Sequence, residues 1–237
     1  MNQLVIDGYI RSYDDLNLLI EKRDLIPLTR ENKTFYSVLA NDAKFVEKHK
    51  TYKEKSFSIT FHVYNNNLSE YLRLITEIFL NAKTIHFTDD DTVFYKILDI
   101  ESDGIKLDGA TWGKMDVKFT IMPYAYVRTN IKTYIDFSKK IELIKEGTAI
   151  AKPKLLIFGT GDIQLLINGK YINIKELPFD TKPLLIDSEV FHSSFGFQNG
   201  TPFWRGDYPI FDKKINTIEL LSGNLKKIEI TPRWAYL

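Results

Sequence analysis

The sequence predicts a mainly β protein in two domains: an α+β N-terminal domain in which one helix lies on a β-sandwich, and a C-terminal antiparallel β-sandwich or jelly roll. Three observations predict it. Thirteen tyrosines, sixteen phenylalanines and three tryptophans, together with many Ile and Val, suit half-buried pleated surfaces. Apolar residues recur with period two over much of the chain, whereas only one convincing segment has helical spacing. Beyond Pro123, short apolar runs follow one another between turn signals, with no further helix.

The elements follow in order. LVIDG near the start reads as a strand. Between Pro27 and Lys55, the charged stretch LTRENKTFYSVLANDAKFVEKHKTYKEK has aromatics but no sustained period, which predicts an extended hairpin or arm over about residues 28–55. FSITFHVY is the next strand. Leu68, Tyr71, Leu72, Ile75, Ile78, Phe79 and Ala82 then share one helical face, which predicts a helix over about 67–82. Asn67 is placed to cap it, and Glu70 to reach back to the Asn67 backbone as in a capping box. TVFYKILDI and KMDVKFTIM follow as strands. In the second of these, Met115, Val117, Phe119 and Ile121 share one face, and Asp116, Lys118 and Thr120 the other.

The domain boundary is expected in YVRTNIKTY, giving domains 1–128 and 129–237. The second domain reads as strands in KPKLLIF, DIQLLIN, KYINIKEL, KPLLIDSE, NTIELL and KKIEIT. Gly159-Thr160-Gly161-Asp162 is expected as a tight link, Asn168-Gly169 as a hairpin turn, and Ser222-Gly223-Asn224 as the turn closing the last pair. In that pair, Ile218, Leu220, Ile228 and Ile230 would bury one face while Glu219, Lys227 and Glu229 stay wet. Pro232 would stop the strand. Trp234 is expected to pack as a lid on the neighbouring sheet or the first domain.

Composition narrows the function. The hydrophobic fraction of 44% suffices for one large or two small cores, and no apolar run approaches bilayer length. MNQLVIDGYI lacks the pattern of a signal peptide, so cytosolic synthesis is expected. With no cysteine, disulfides, thiolate metal sites and cysteine nucleophiles are excluded. A net charge of +1 offers none of the counterion release that drives tight nucleic-acid binding.

No motif carries chemistry. Asp89, Asp90 and Asp91 lack the ligand spacing, turn glycine and distal Glu of a calcium loop and read as a solvated turn. FGTGD has neither the lysine nor the following helix of a phosphate loop. His49, His62, His86 and His192 are scattered, with no metal-ligand spacing and no nearby nucleophile. Arg205-Gly206-Asp207 is a three-residue coincidence in a turn, and the glycosylation patterns at Asn32 and Asn199 matter only in a secreted chain. No catalytic, cofactor-binding or metal-binding residue is therefore assigned, and no cofactor is expected.

Four segments, taken in order, nevertheless resemble a known family. They are LVIDG, MDVKFTIMPYAYV, GTAIAKPKLLIFGTGDIQLLINGKYINI and YPIFDKKINTIELLSGNLKKIEITPRW, and they bracket nearly the whole chain. The chain resembles the distal tail proteins of long-tailed, non-contractile phages of Gram-positive bacteria. One departure is Lys213-Lys214, where family members often carry Pro-Gly; the arm also diverges. The resemblance implies a structural protein of the virion tail, made in the host cytoplasm. Its N-terminal domain would form a homohexameric ring, and its galectin-like C-terminal sandwich would lie outside. Such a ring joins the tail tube protein to the tail-tip, lysin-associated hub and to the receptor-binding protein. DNA passes through without tight binding, and no membrane is involved. Whether two rings stack back to back is left open.

A ring needs two different complementary surfaces per subunit. The subunit-interface candidates are Phe35, Tyr36 and Tyr52 on the arm and the outward row Asp116, Lys118 and Thr120. The alternative is a carbohydrate-binding module for host cell-wall sugars. Its candidates are Phe191, His192 and Trp204, within an aromatic-rich region that also holds Phe195 and Phe197. Packing of those aromatics within the loops is the simpler reading.

Overall fold

The computed structural model describes residues 2–37, 44–128, 131–135, 140–178 and 182–237. Among the described residues the chain is mainly β with one α-helix, and it divides into two compact units, one up to Ala125 and one from Tyr126 to Tyr236.

The first unit contains β1 (Leu4–Ile6), β2 (Ile10–Arg11), β3 (Leu18–Arg23), β4 (Glu31–Ser37), β5 (Lys44–Tyr52), β6 (Lys55–Tyr64), α1 (Leu68–Asn81), β7 (Thr84–Phe87), β8 (Asp90–Leu107) and β9 (Trp112–Ile121). Its sheet runs β2-β1-β7-β8-β9-β6-β3, all antiparallel. The long β8 joins the halves, pairing with β7 through its first residues and with β9 from Ile97 onward. The sheet curls, because the Phe57 ring of β6 meets Phe87 of β7 edge-on at 6.0 Å although two strands, β8 and β9, separate them in the sheet order. Period-two burial is clean on β9: Met115, Val117, Phe119 and Ile121 are buried, while Asp116 and Lys118 face solvent.

Helix α1 closes this core with Tyr71, Ile75 and Phe79, one helical turn apart. Each such side chain, fully buried, contributes roughly 1.5–3 kcal/mol. Asn67 caps the helix: its Oδ1 accepts from Glu70 N at 3.3 Å. The reciprocal contact differs from a capping box, since the Glu70 carboxylate accepts from the Asn67 side-chain amide at 2.9 Å and Asn65 Oδ1 accepts from the Asn67 backbone N–H. The Tyr71 hydroxyl donates to the Leu16 carbonyl, anchoring the helix to the loop before β3.

β10 (Ala125–Val127) spans the junction in sequence. The second unit continues with β11 (Lys132–Ile135), β12 (Ile141–Ile144), β13 (Lys154–Ile167), β14 (Lys170–Leu177), β15 (Leu184–Asp187), β16 (His192–Phe195), β17 (Gln198–Asn199), β18 (Trp204–Arg205), β19 (Ile215–Thr231) and β20 (Ala235–Tyr236). β13 and β19 pair antiparallel along almost their whole lengths. At one end they carry β12 on β19 and β14 on β13; at the other, β11 on β19 and β15 on β13. The inner faces of both groups share one core, from Ile141, Leu165 and Ile218 to Leu155, Leu184 and Ile230.

Two expected turns are therefore not turns. Gly159–Asp162 lies inside β13, and Ser222–Asn224 lies inside β19; each long strand bends there instead of reversing. The register shifts at Phe158/Gly159, Thr160/Gln164 and Gln164/Leu165, as β-bulges require. The glycines let two backbones approach: a Cβ on Gly159 would stand 2.6 Å from the Asn224 carbonyl oxygen, and one on Gly223 2.2 Å from that of Asp162. Asn168-Gly169 is a true hairpin turn, with φ of 51° and 88° between Ile167 and Lys170.

Of the two places expected for Trp234, the structure shows packing within the second unit, as part of the core and not as a lid. It is buried in the second unit's own core, 5.6 Å from the Phe211 ring. At the Lys213-Lys214 departure, buried Asn216 closes the turn: its Oδ1 accepts from Lys213 N at 3.2 Å and its amide donates to the Lys213 carbonyl at 2.8 Å.

Candidate functional site

In the first unit, among the described residues, β4 and β5 pair only with each other, as a two-stranded ribbon separate from the main sheet. Phe35 lies opposite Val46 and Tyr36 opposite Phe45, so each face of the ribbon carries an apolar pair. All four side chains are exposed, Phe45 by 69%, and none belongs to the core cluster. Polar contacts hold the ribbon together: Tyr36 donates to Glu47 at 2.8 Å, Asn32 to Thr51 at 2.9 Å, and Thr34 meets His49 at 2.6 Å. A lone two-stranded hairpin is marginal in water, and one with aromatics on both faces is built to be covered. Tyr52 is not part of that exposed set, because it packs edge-on against Tyr124, 6.0 Å away, at the arm's root.

The outward row of β9 is of another kind. Asp116 accepts from Thr60 at 2.7 Å and from Lys106 at 3.2 Å, and these contacts hold its carboxyl below the usual range. Lys118 bonds Glu101 at 2.9 Å, which raises its pKa. Thr120 meets Ser56 at 3.1 Å. Farther along the strand, Lys114 bonds Glu21 at 2.8 Å, and Glu21 also faces His62 at 3.3 Å. This is a wet face whose charges alternate and are matched within the chain. Such exposed pairs each contribute at most about 1 kcal/mol.

In the second unit, Phe191 and Trp204 do come together, through a residue the sequence reading passed over. Tyr208 packs edge-on against Phe191 at 5.5 Å and against Trp204 at 5.0 Å. Phe191 is exposed and takes a left-handed φ of 51°, an uncommon place for a bulky residue. Lys152 Nζ lies 5.4 Å from its ring centre. Trp204, by contrast, is buried, and its Nε1 has no hydrogen-bond partner among the described residues. Phe195 packs on Phe203 at 5.3 Å, and His192 is exposed opposite Asp187 on β15. Phe197, fully exposed, tips the turn between β16 and β17.

A charged cluster in this unit gave no sequence signal, because its members lie far apart in the chain. Arg233 forms a two-pronged pair with Asp187, at 2.5 and 2.8 Å, and reaches Glu189 at 3.4 Å. Tyr126 donates to Glu189 at 3.1 Å. Burial works to raise Asp187, but the hydrogen bonds and charge of Arg233 prevail and hold it below the ordinary carboxylate range. The cluster fastens the segment after β19 to β15.

Among the described residues, no group of three or more His, Asp or Glu side chains is placed to hold a metal ion, and no helix is long and apolar enough to cross a membrane. Asp89 lies in the β7–β8 turn and takes a two-pronged pair from Arg23, at 3.1 and 2.9 Å, while Asp90 holds Thr92.

The fold is shared with a solved phage protein. SPP1 Dit (gp 19.1), described as a paradigm of the hub adsorption apparatus in phages that infect Gram-positive bacteria, matches with a TM-score of 0.65 over 100% of both chains, at 13% sequence identity. No protein-family model and no curated protein sequence matches the chain.

Proposed function

We propose that the chain is a distal tail hub protein of a non-contractile phage tail, a structural part of the virion's adsorption apparatus. The carrying observation is the likeness to SPP1 Dit over the full length of both chains. In this reading the first unit forms a sixfold ring that joins the tail tube to the tip. The ring carries the receptor-binding components, and its opening passes DNA.

The surfaces support that role physically. A closed ring needs a heterologous interface in which one patch of each copy meets a different patch of the next. The β4–β5 arm, with Phe35, Tyr36, Phe45 and Val46 exposed on its two faces, is one such patch. The paired charges of the β9 face, with a chain charge of only +1, suit a passage that must not hold DNA. The sugar-binding alternative is weaker, because Trp204 has no open ring face to stack on a sugar.

Antibody raised against the purified protein tests the reading. On virions from the strain that encodes this chain, gold label is expected at the tail end remote from the head. Particles without label there would refute a hub role.

A further inference from the structure

The outer face of β13, β14 and β18 carries a row of polar groups around an exposed ring. β18 pairs with β14 so that Arg205 lies opposite Asn173 and Trp204 opposite Ile174. Ile174 and Trp204 are buried, and strand residues alternate between faces, so Asn173 and Arg205 lie on the outer side. Tyr171 and Lys175, two residues either side of Asn173, share that side and are exposed, Tyr171 by 56%. On β13, Gln164 stands opposite Asn173 and donates to its side-chain oxygen at 2.8 Å. That bond leaves the Asn173 amide as a donor and the Gln164 carbonyl as an acceptor.

At its Lys175 end the row meets a cavity of about 270 Å³, walled by Lys175, Glu176, Pro202, Phe203, Trp204 and Arg205. Among the described residues, neither Lys175 nor Arg205 has a side-chain hydrogen bond or ion pair, and the Tyr171 ring meets no other ring. Two cations against the one carboxylate of Glu176 leave the cavity positive and favour an anion. Arg205 presents a planar fork that takes two oxygens of one acid group, and Lys175 adds a point charge. From Lys175 to Tyr171 the strand advances about 13 Å.

We infer that this row binds an acidic saccharide, its acid group held by Arg205 and Lys175, its hydroxyls by Asn173 and Gln164, and a sugar ring against Tyr171. The chemistry runs in that order along β14. A hydroxyl both donates and accepts, as the adjacent amide pair requires, and the apolar face of a sugar ring covers an exposed aromatic. The site uses neither Phe191 nor His192, and it does not depend on assembly into a ring.

Saturation-transfer NMR reads binding from the ligand's own signals and so suits a large assembly. Glucose 1-phosphate or glucuronate should bind the protein about tenfold or more tightly than glucose, the tighter of the two identifying the acid group as phosphate or carboxylate. Arg205→Gln with Lys175→Gln should remove that advantage, and Tyr171→Ala should abolish transfer to the sugar-ring protons. Lys22→Gln, in the first unit, should change nothing. All four positions are exposed, so unfolding midpoints should match wild type. The inference is overturned if neither acid binds saturably, if binding survives Arg205→Gln with Lys175→Gln, or if an oligo-aspartate peptide binds as tightly as the acidic sugars.

Discussion

The Gly223 α-carbon lies so close to the Asp162 backbone that a methyl group added there would stand 2.2 Å from its carbonyl oxygen. That closeness is where β19 bends across β13, and it lets two strands serve both ends of the second unit's core.

Gly223→Ala must push that backbone apart and also adopt a φ of 102°. A cost of about 3 kcal/mol or more is expected. Gly161→Ala, at φ 69° with open space around it, should cost only about 1–2 kcal/mol. Urea unfolding of the two variants side by side checks the order.

Legibility in the sequence followed the range of the interactions. α1 and the faces of β9 could be read because their burial repeats locally, every third or fourth residue and every second one. The bends at Gly159–Asp162 and Ser222–Asn224 could not, because glycine that reverses a chain and glycine that admits a neighbouring backbone look alike without the partner strand. The Phe191–Tyr208–Trp204 row and the Arg233 cluster were hidden for the same reason. The free-standing arm showed itself as the stretch with aromatics and no period.

Acid should loosen the second unit through Asp187. A carboxylate held down by folding contributes stability that is fully present above its unfolded pKa, about 3.9, and lost as pH falls through the lower folded value. Asp187→Asn should cost about 3 kcal/mol near pH 7, because Arg233 loses its main partner. It should also flatten the loss of stability below pH 4. Chemical unfolding at pH 7, 5 and 3.5 measures both effects.

Trp204 and Phe191 should separate core from surface. Trp204→Ala is expected to cost about 3–5 kcal/mol, as an emptied core site does, and exposed Phe191→Ala less than about 1 kcal/mol. Saturable binding of cell-wall glycans, lost in Phe191→Ala with the fold intact, would instead favour the sugar-binding reading.

The arm aromatics should matter to assembly and not to folding. Phe35→Ser with Phe45→Ser should leave the unfolding free energy within about 0.5 kcal/mol of wild type, since both side chains are exposed in the single chain. The same variant should sediment as a monomer where wild type associates.

The most direct measurement is the mass of the purified protein in solution, with images of the same sample. Six copies of the 27.6 kDa chain, about 166 kDa, seen as annuli with sixfold symmetry, is the expected result. A particle of one chain's mass at every concentration reached, and no annuli with the tail components added, would contradict it.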